Sequence, residues 1–515
     1  MTSNSIFSRV PVIDVHQENL QEVWPSIVLA IKSATFVGMD LELSGLGNRK
    51  DLNCRAMDDR YRAMADVART RSVLSLGLSC FKCTNIKTTE VKVKDREPTS
   101  PSKAKNDWKY LVQTFNILVL CEEDFIVEPI TLKFLVDHGF DFNKQYAKGI
   151  SYYRGNDKQT DQDLKSLRKL MNVLVLNKVP VVFHNALVDL VFLYHSFYAS
   201  LPSSMGTFVT DLMEVFEGGV FDTKYITEYM ERLPASYLEY AFRRCQRKNS
   251  FSQPHERDVV SLEFLDYPST YTYVRYSHCE LPHTMVERGD DVDSDHLQKI
   301  LCHQYASFGW CQRGCSCPKS HDIDDIIDLD GIKSARKSRK RKRRRQNQAN
   351  SSSNGEEMTE ETDDSTEDSG SRDEGKEEFH PTVTKKLRTT SPESSETQGM
   401  NAKSNLDKSA SNMSCDSGLE KVPNMSDLGI ARKEGHRAGY DAFMTGYIMA
   451  YYFTKFGKLP TETRRNVKLT DLNVEEFKNK VYLCGKDIPL VITKSSFTKP
   501  SKDHREKMEK IKSKS

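Results

Sequence analysis

The sequence predicts an α/β protein, a mixed sheet flanked by helices and split by a long insertion. Three observations carry this. Strand-like apolar runs come early, at 35–41, 71–82 and 110–120, and the charged loop 87–105 joins the last two as in a long hairpin. Helical and strand patterns then alternate, which is the signature of a layered α/β unit. After residue 430 folded character returns in HRAGYDAFMTGYIMAYYFTKF (436–456), a strongly apolar helix, and NKVYLCGKDIPLVI (479–492), which reads as one or two strands.

Each element has a local reason. LQEVWPSIVLAIKSA (20–34) has helical spacing and leads into the strand at 35–41. LKSLRKLMNVLVLNK (164–178) puts Leu164, Leu167, Leu170 and Leu174 on one helical face. VPVVF (179–183) is a short buried strand, and NALVDLVFLYHSFY (185–198) returns to helix with Asn185 placed to cap it. VFDTKYI (220–226) reads as a further strand. One late helix and a strand cannot form a core alone, so 436–492 is expected to dock back onto the N-terminal unit. Residues 241–430 are then largely an insertion, tolerable because loop-closure cost grows only logarithmically with length.

Composition bounds the rest. The 515 residues leave room for two or three domains, yet only 37% are hydrophobic and 29% are charged. Between Gly331 and Ile430 the only aromatic residue is Phe379, so that stretch cannot offset its ordering entropy and is expected to be disordered. The net charge of +2 hides segregation, since KSRKRKRRR (337–345) is followed by EEMTEETDDSTEDSG. No apolar run after Met1 suggests a signal peptide, and none suggests a membrane span or membrane partner. The expected organisation is an α/β first part at 1–245, a connecting insertion at 246–295, a cysteine-rich unit at 296–325, and a disordered segment at 326–432. The fold resumes at 433–495, and 496–515 reads as a solvated basic tail.

FVGMDLELSG (36–45) places Asp40 and Glu42 two residues apart on a core strand, hence on one face, with Met39 and Leu41 on the other. Two such carboxylates need a shared proton, basic partners or cations. D-x-E suits half of a site for a hard cation such as Mg²⁺. On the motif alone, a strand end where Glu42 has reached solvent reads equally well. FHNALVDLVF puts Asp189 one turn into a helix, and HRAGYDAFMTG puts Asp441 at the start of another, five residues after His436. Singly, an acid in a first turn is commonly a helix-dipole partner. The set D-x-E, D, H-x4-D in this order is far more specific.

With that set the sequence resembles the DEDDh 3′–5′ exoribonucleases of the CAF-type deadenylase group, among them poly(A)-specific ribonuclease. The resemblance rests on FVGMDLELSGL, RSVLSLGLSCFK, HGFDFNKQYAKGISYY, FHNALVDLVFLYHSFY, FDTKYI and HRAGYDAFMTGY, in family order. It implies a ribonuclease H-like sheet on which Asp40, Glu42, Asp189 and Asp441 hold two Mg²⁺ ions, with His436 as general base. Asp222 in FDTKYI is a rival carboxylate that the family places outside the metal site. One departure is Arg437, where poly(A)-specific ribonuclease-like sequences usually carry Glu.

LCHQYASFGWCQRGCSCPKSHDID contains Cys302-x8-Cys311-x5-Cys317-x3-His321, a spacing that resembles CCCH zinc fingers and supplies four ligands for one structural Zn²⁺. Cys315 is a competitor for Cys317. Tyr305, Phe308 and Trp310 are interleaved with the ligands, suited to stacking on unpaired RNA bases or to packing the finger core. Cys80 and Cys83 form a lone C-x-x-C on a strand and read as core packing. The run Lys337, Arg339, Lys340, Arg341, Lys342, Arg343, Arg344, Arg345 suits a nuclear import receptor or RNA phosphates.

The finger and basic run narrow the resemblance to a nuclear deadenylase. That implies single-stranded RNA 3′ ends, poly(A) and small nuclear RNA, as substrates, and residence in nucleoplasm, Cajal bodies and nuclear speckles. Composition does not decide whether the chain forms a homodimer. The alternative function is a catalytically inert nuclease fold serving as a zinc-finger RNA-binding regulator. A DNA-binding transcription factor would need further fingers or a recognition helix.

Overall fold

The computed structural model describes residues 9–90, 104–158, 166–251, 258–280, 293–352, 437–458 and 465–513. Two compact units are present, one of residues 1–340 with 431–515 and one of residues 341–430. In the second unit the described residues are the helical 341–352.

In the first unit the strands are β1 (Arg9–Val15), β2 (Phe36–Leu43), β3 (Val73–Glu90), β4 (Ala104–Cys121), β5 (Ile150–Tyr152), β6 (Val181–Phe183), β7 (Val220–Asp222), β8 (Val259–Phe264), β9 (Tyr276–Glu280), β10 (Lys480–Val481) and β11 (Leu490–Val491). They form one mixed sheet in the order β11-β10-β7-β6-β2-β3-β4-β1-β9, with β5 and β8 also pairing with β4. β2 runs antiparallel to β3 and parallel to β6, and β6 is parallel to β7.

The period of two on β2 sorts its side chains between two cores. Val37, Met39, Leu41 and Leu43 enter a core covered by helices Leu20–Ser33, Met57–Thr70, Leu167–Leu176 and Leu187–Phe197. Phe36, on the other face, joins Phe81, Phe443 and Phe453 beneath helix Ala438–Phe456. That helix lies directly on the strands because glycines leave no side chain between them. A Cβ on Gly38 would stand 2.3 Å from the Ala442 carbonyl oxygen, and one on Gly77 1.8 Å from that of Ala438. The returning segment thus completes the N-terminal sheet.

Several expectations need correcting. The 246–295 stretch is more than a connection, because β8 pairs with β4 and β9 pairs with β1. Disorder from 326 does not hold for the first part of that segment, since one helix spans Ile323–Ser352. Its start is clamped to helix Leu238–Phe251: the Arg243 guanidinium donates to Asp324 at 2.9 and 2.8 Å, and Arg247 bonds both Asp324 and Asp328. The 496–515 segment is also no solvated tail. Helix Lys502–Ser513 buries His504, which bonds the Tyr198 hydroxyl at 2.9 Å and Glu214 at 3.0 Å. β7 ends at Asp222 rather than at 226, because the Asp222 side chain caps the helical turn Thr223–Tyr225. Residues 353–432 of the expected disordered segment lie outside the described residues.

Candidate active site and finger

β2 carries Asp40 and Glu42 out of the sheet centre on the face that the 438–456 helix covers. Asp441 sits in that helix's first turn, its N–H donated to the Arg437 carbonyl at 2.9 Å. The turn is pinned from β4, where the Asn116 side-chain oxygen accepts the Gly439 N–H at 3.1 Å. Asp40, Glu42 and Asp441 bring carboxylate oxygens within 4.8 Å of one another. Asp441 is buried, and the other two are half-buried.

Asp189 approaches from the opposite side of β2, in the first turn of the 187–197 helix after β6. It stands outside that tight set of three, but its charge acts on Asp40. Burial first, then the charges of Asp441, Asp189 and Glu42, hold the Asp40 carboxyl well above the usual range. Burial, aided by the Asp222 charge, pushes Asp189 up to about 7 against backbone N–H groups including that of Leu41. Acids crowding one end of the sheet thus disfavour the ionised forms of Asp40 and Asp189. Oxygen donors in that surplus are the set that a hard divalent cation neutralises, so these residues fit Mg²⁺.

Asp222 plays a different part. Its carboxylate accepts backbone N–H groups from Asn185 (2.9 Å), Ala186 (3.2 Å), Lys224 (2.9 Å) and Tyr482 (2.9 Å). Asn185 is therefore not the helix cap; it lies at a φ of 71° while Asp222 from the next strand takes the exposed N–H groups. This turn aims Asp189. His436 lies outside the described residues. His184 is no substitute base, because its ring nitrogens contact Thr223 Oγ1 and the Ser236 carbonyl at 2.8 Å each, and burial, then Lys224, depress it to about 3. Sequence reasoning missed Asn116, whose role depends on a helix more than three hundred residues away.

A second cluster lies in the cysteine-rich segment. Cys302, Cys311, Cys317 and His321 bring ligand atoms within 4.8 Å of one another, with the two sulfurs of Cys302 and Cys311 at 3.7 Å. Burial works against the Cys302 thiolate, but the Tyr305 and Gln304 backbone N–H groups and the neighbouring thiols hold its pKa below the ordinary value. Three sulfurs and one imidazole are the donor set that tetrahedral Zn²⁺ takes. The Cys315 side chain lies outside the described residues. The three aromatics divide. Tyr305 packs the finger, its ring stacked on His321 at 4.2 Å and its hydroxyl on Glu239 at 2.8 Å. Phe308 is 65% exposed and Trp310 40% exposed, the latter under the Arg49 guanidinium. Cys80 and Cys83 are buried in the sheet.

In the basic run Lys337, Arg339, Lys340, Arg341 and Arg343 are exposed on the 323–352 helix, while the side chains of Lys342, Arg344 and Arg345 lie outside the described residues. Among the described residues, no helix is long and apolar enough to cross a membrane.

The sequence profile of the CAF1 family ribonucleases matches residues 15–167 and 156–449. The chain belongs to that family. Poly(A)-specific ribonuclease PARN of Xenopus laevis is 22% identical over 164 residues, covering 29% of this chain and 23% of that protein. The pre-piRNA 3′-exonuclease trimmer of Bombyx mori is 25% identical over 148 residues, covering 28% of this chain and 25% of its own. The chain thus spans between 23% and 30% of the length of the curated relatives it matches. Among solved structures, the Mg²⁺- and Mn²⁺-bound form of S. pombe Pop2p is 17% identical, covers 46% of this chain and 82% of its own, and has a TM-score of 0.32.

Proposed function

We propose that the chain is a divalent-metal-dependent 3′–5′ exoribonuclease of ribonuclease H-like architecture that removes terminal adenosines from RNA and releases 5′-AMP. The observation that carries this is the convergence of Asp40, Glu42 and Asp441, with Asp189 acting on Asp40 from the far side of the strand. Two bound Mg²⁺ ions would supply activation of water and neutralisation of charge on the phosphate. The protein's own residues do the rest. The four carboxylates fix the scissile phosphate's surroundings. His436 takes the proton of the attacking water, a task suited to an imidazole that is neutral near pH 7. Water oxygen bonds to phosphorus, the bond to the upstream 3′ oxygen breaks, and that oxygen takes a proton from solvent to become a new 3′-hydroxyl.

Poly(A) tails and 3′ extensions of small nuclear RNA are the proposed substrates. The finger, through Phe308 and Trp310, adds affinity for single-stranded RNA. The basic run serves a nuclear import receptor, placing the protein in nucleoplasm, Cajal bodies and nuclear speckles. Asp40→Ala or Glu42→Ala is expected to lower Mg²⁺-dependent AMP release from oligoadenylate by about 10²-fold or more, with the circular dichroism spectrum unchanged. Undiminished trimming by both variants would remove this carboxylate mechanism, and absence of metal-dependent AMP release by wild type would favour the inert RNA-binding alternative.

A further inference from the structure

Beside the carboxylates the sheet continues as a row. Asp40 on β2 stands opposite Gly77 on β3, Gly77 opposite Asn116 on β4, and Asn116 opposite Asp14 on β1. Over this row opens a notch of about 60 Å³, lined by Asp14, Ser75, Asn116, Phe140, Lys144 and Arg437 among others. It adjoins the candidate site directly: Ser75 is the strand partner of Glu42, and Arg437 lies one turn before Asp441. The volume is far below the several hundred cubic ångströms of a site that encloses a nucleoside, but it admits a group the size of a phosphate.

Charge decides which group. The ammonium of Lys144 is bonded to Asp14 at 3.1 Å, and Asp141, which also lines the notch, accepts the Lys144 backbone N–H at 2.9 Å. Asp14 is thus paired with a cation, and Asp141 caps the start of the 142–148 helix through a backbone N–H. The Arg437 guanidinium is held instead by the Ser277 hydroxyl on β9 and, among the described residues, by no carboxylate. The notch therefore presents a guanidinium, the side chain best suited to a phosphate oxygen, that among the described residues pairs with no carboxylate and is held by a neutral hydroxyl.

Resting on the exonuclease proposed above, we infer that Arg437 is a positioning residue that binds the first RNA phosphate upstream of the scissile one. The 3′-terminal nucleotide carries only the scissile phosphate, so any second phosphate held beside the site must belong to the strand that remains. The device would anchor the shortened RNA while the 5′-AMP departs.

The test is a cycle on decaadenylate with either an ordinary or an uncharged methylphosphonate linkage at the penultimate position. Wild type is expected to lose about tenfold in affinity when that linkage is uncharged, and Arg437→Ala to lose the same on ordinary RNA. Combining the two should cost nothing further, and Arg437→Lys should restore part of the loss. The salt slope of binding should fall by about 0.7 in Arg437→Ala, the value for one single-strand phosphate contact. Anisotropy in EDTA reads affinity without turnover, so the outcome stands even if the RNA is never cut. Additive losses, or no loss in Arg437→Ala, would overturn the assignment. The exonuclease proposal stands or falls separately, on AMP release by wild type against Asp40→Ala.

Discussion

The carboxylate centre and the cysteine-rich finger both gather ligand atoms within 4.8 Å, and they do so by opposite means. The finger's four donors come from positions 302–321, twenty consecutive residues, beside a small core in which Leu297, Leu301, Ile326 and Leu329 meet Ala235 and Tyr240. The carboxylate centre joins positions 40 and 441 through a sheet, a helix and the two largest cores. One set of donors is therefore gathered by neighbours in sequence, while the other is held by the whole fold against the mutual repulsion of its acids. The difference teaches where each is vulnerable: the finger to chelation, the centre to packing.

The largest expected effect follows from packing. Gly77→Ala should push the 438–456 helix off β3, because its Cβ would stand 1.8 Å from the Ala438 carbonyl oxygen. Overpacking of this kind costs about 1–3 kcal/mol or more, and displacing Asp441 should lower AMP release well over tenfold. Gly331→Ala, which meets nothing within 4 Å on the finger-side helix, should change neither stability nor turnover adversely. Equal effects of the two substitutions, measured by thermal melts and AMP release, would break the contrast.

A smaller effect concerns charge. The folded state keeps protons on Asp40, raised well above the usual range chiefly by burial, and on Asp189, raised to about 7, while the unfolded chain has lost them. Their favourable contribution is thus present below about pH 4 and is lost as pH rises from there towards 7. In EDTA near pH 8, Asp40→Asn should melt a few degrees above wild type, and the gap should close near pH 4. Mg²⁺ should raise the melting point of wild type near pH 8 more than that of Asp40→Asn. A variant that melts below wild type under those conditions would show that like-charge strain is absent.

The smallest effect belongs to the finger. Cys311→Ser should abolish hydrogen-exchange protection around 294–330 and leave AMP release from a trinucleotide within about twofold, because a locally held unit opens locally. Loss of protection throughout β2 and β3 instead would mean that finger and sheet unfold together.

Legibility divided along the same line. The finger was legible from spacing, because its ligands are close in the chain. The alternation on β2 put Asp40 and Glu42 on one face and Met39 and Leu41 on the other, because a strand's period needs no partner to be read. β9 was missed because YSHCE is a polar edge strand whose only recommendation is its pairing with β1. The C-terminal helix was missed because seven other charged residues mask the face formed by His504, Lys507 and Ile511. Asn185 looked like a cap until Asp222, from another strand, took its place.

What the sequence alone determined is the chemistry on offer: hard oxygen donors in one set, soft sulfur and imidazole donors in another, each at a period or spacing that local geometry enforces. What only the tertiary structure decided is which distant groups act together. Asn116 holding Gly439 and Arg437 facing a notch beside β3 and β4 depend on a helix seated on glycines, and Asp222 bonding the turn before Asp189 depends on the pairing of β6 with β7. The reason is physical. Local order follows from backbone and side-chain stereochemistry over a few residues, whereas contacts across hundreds of residues exist only once burial of a shared core has offset the entropy of bringing them together.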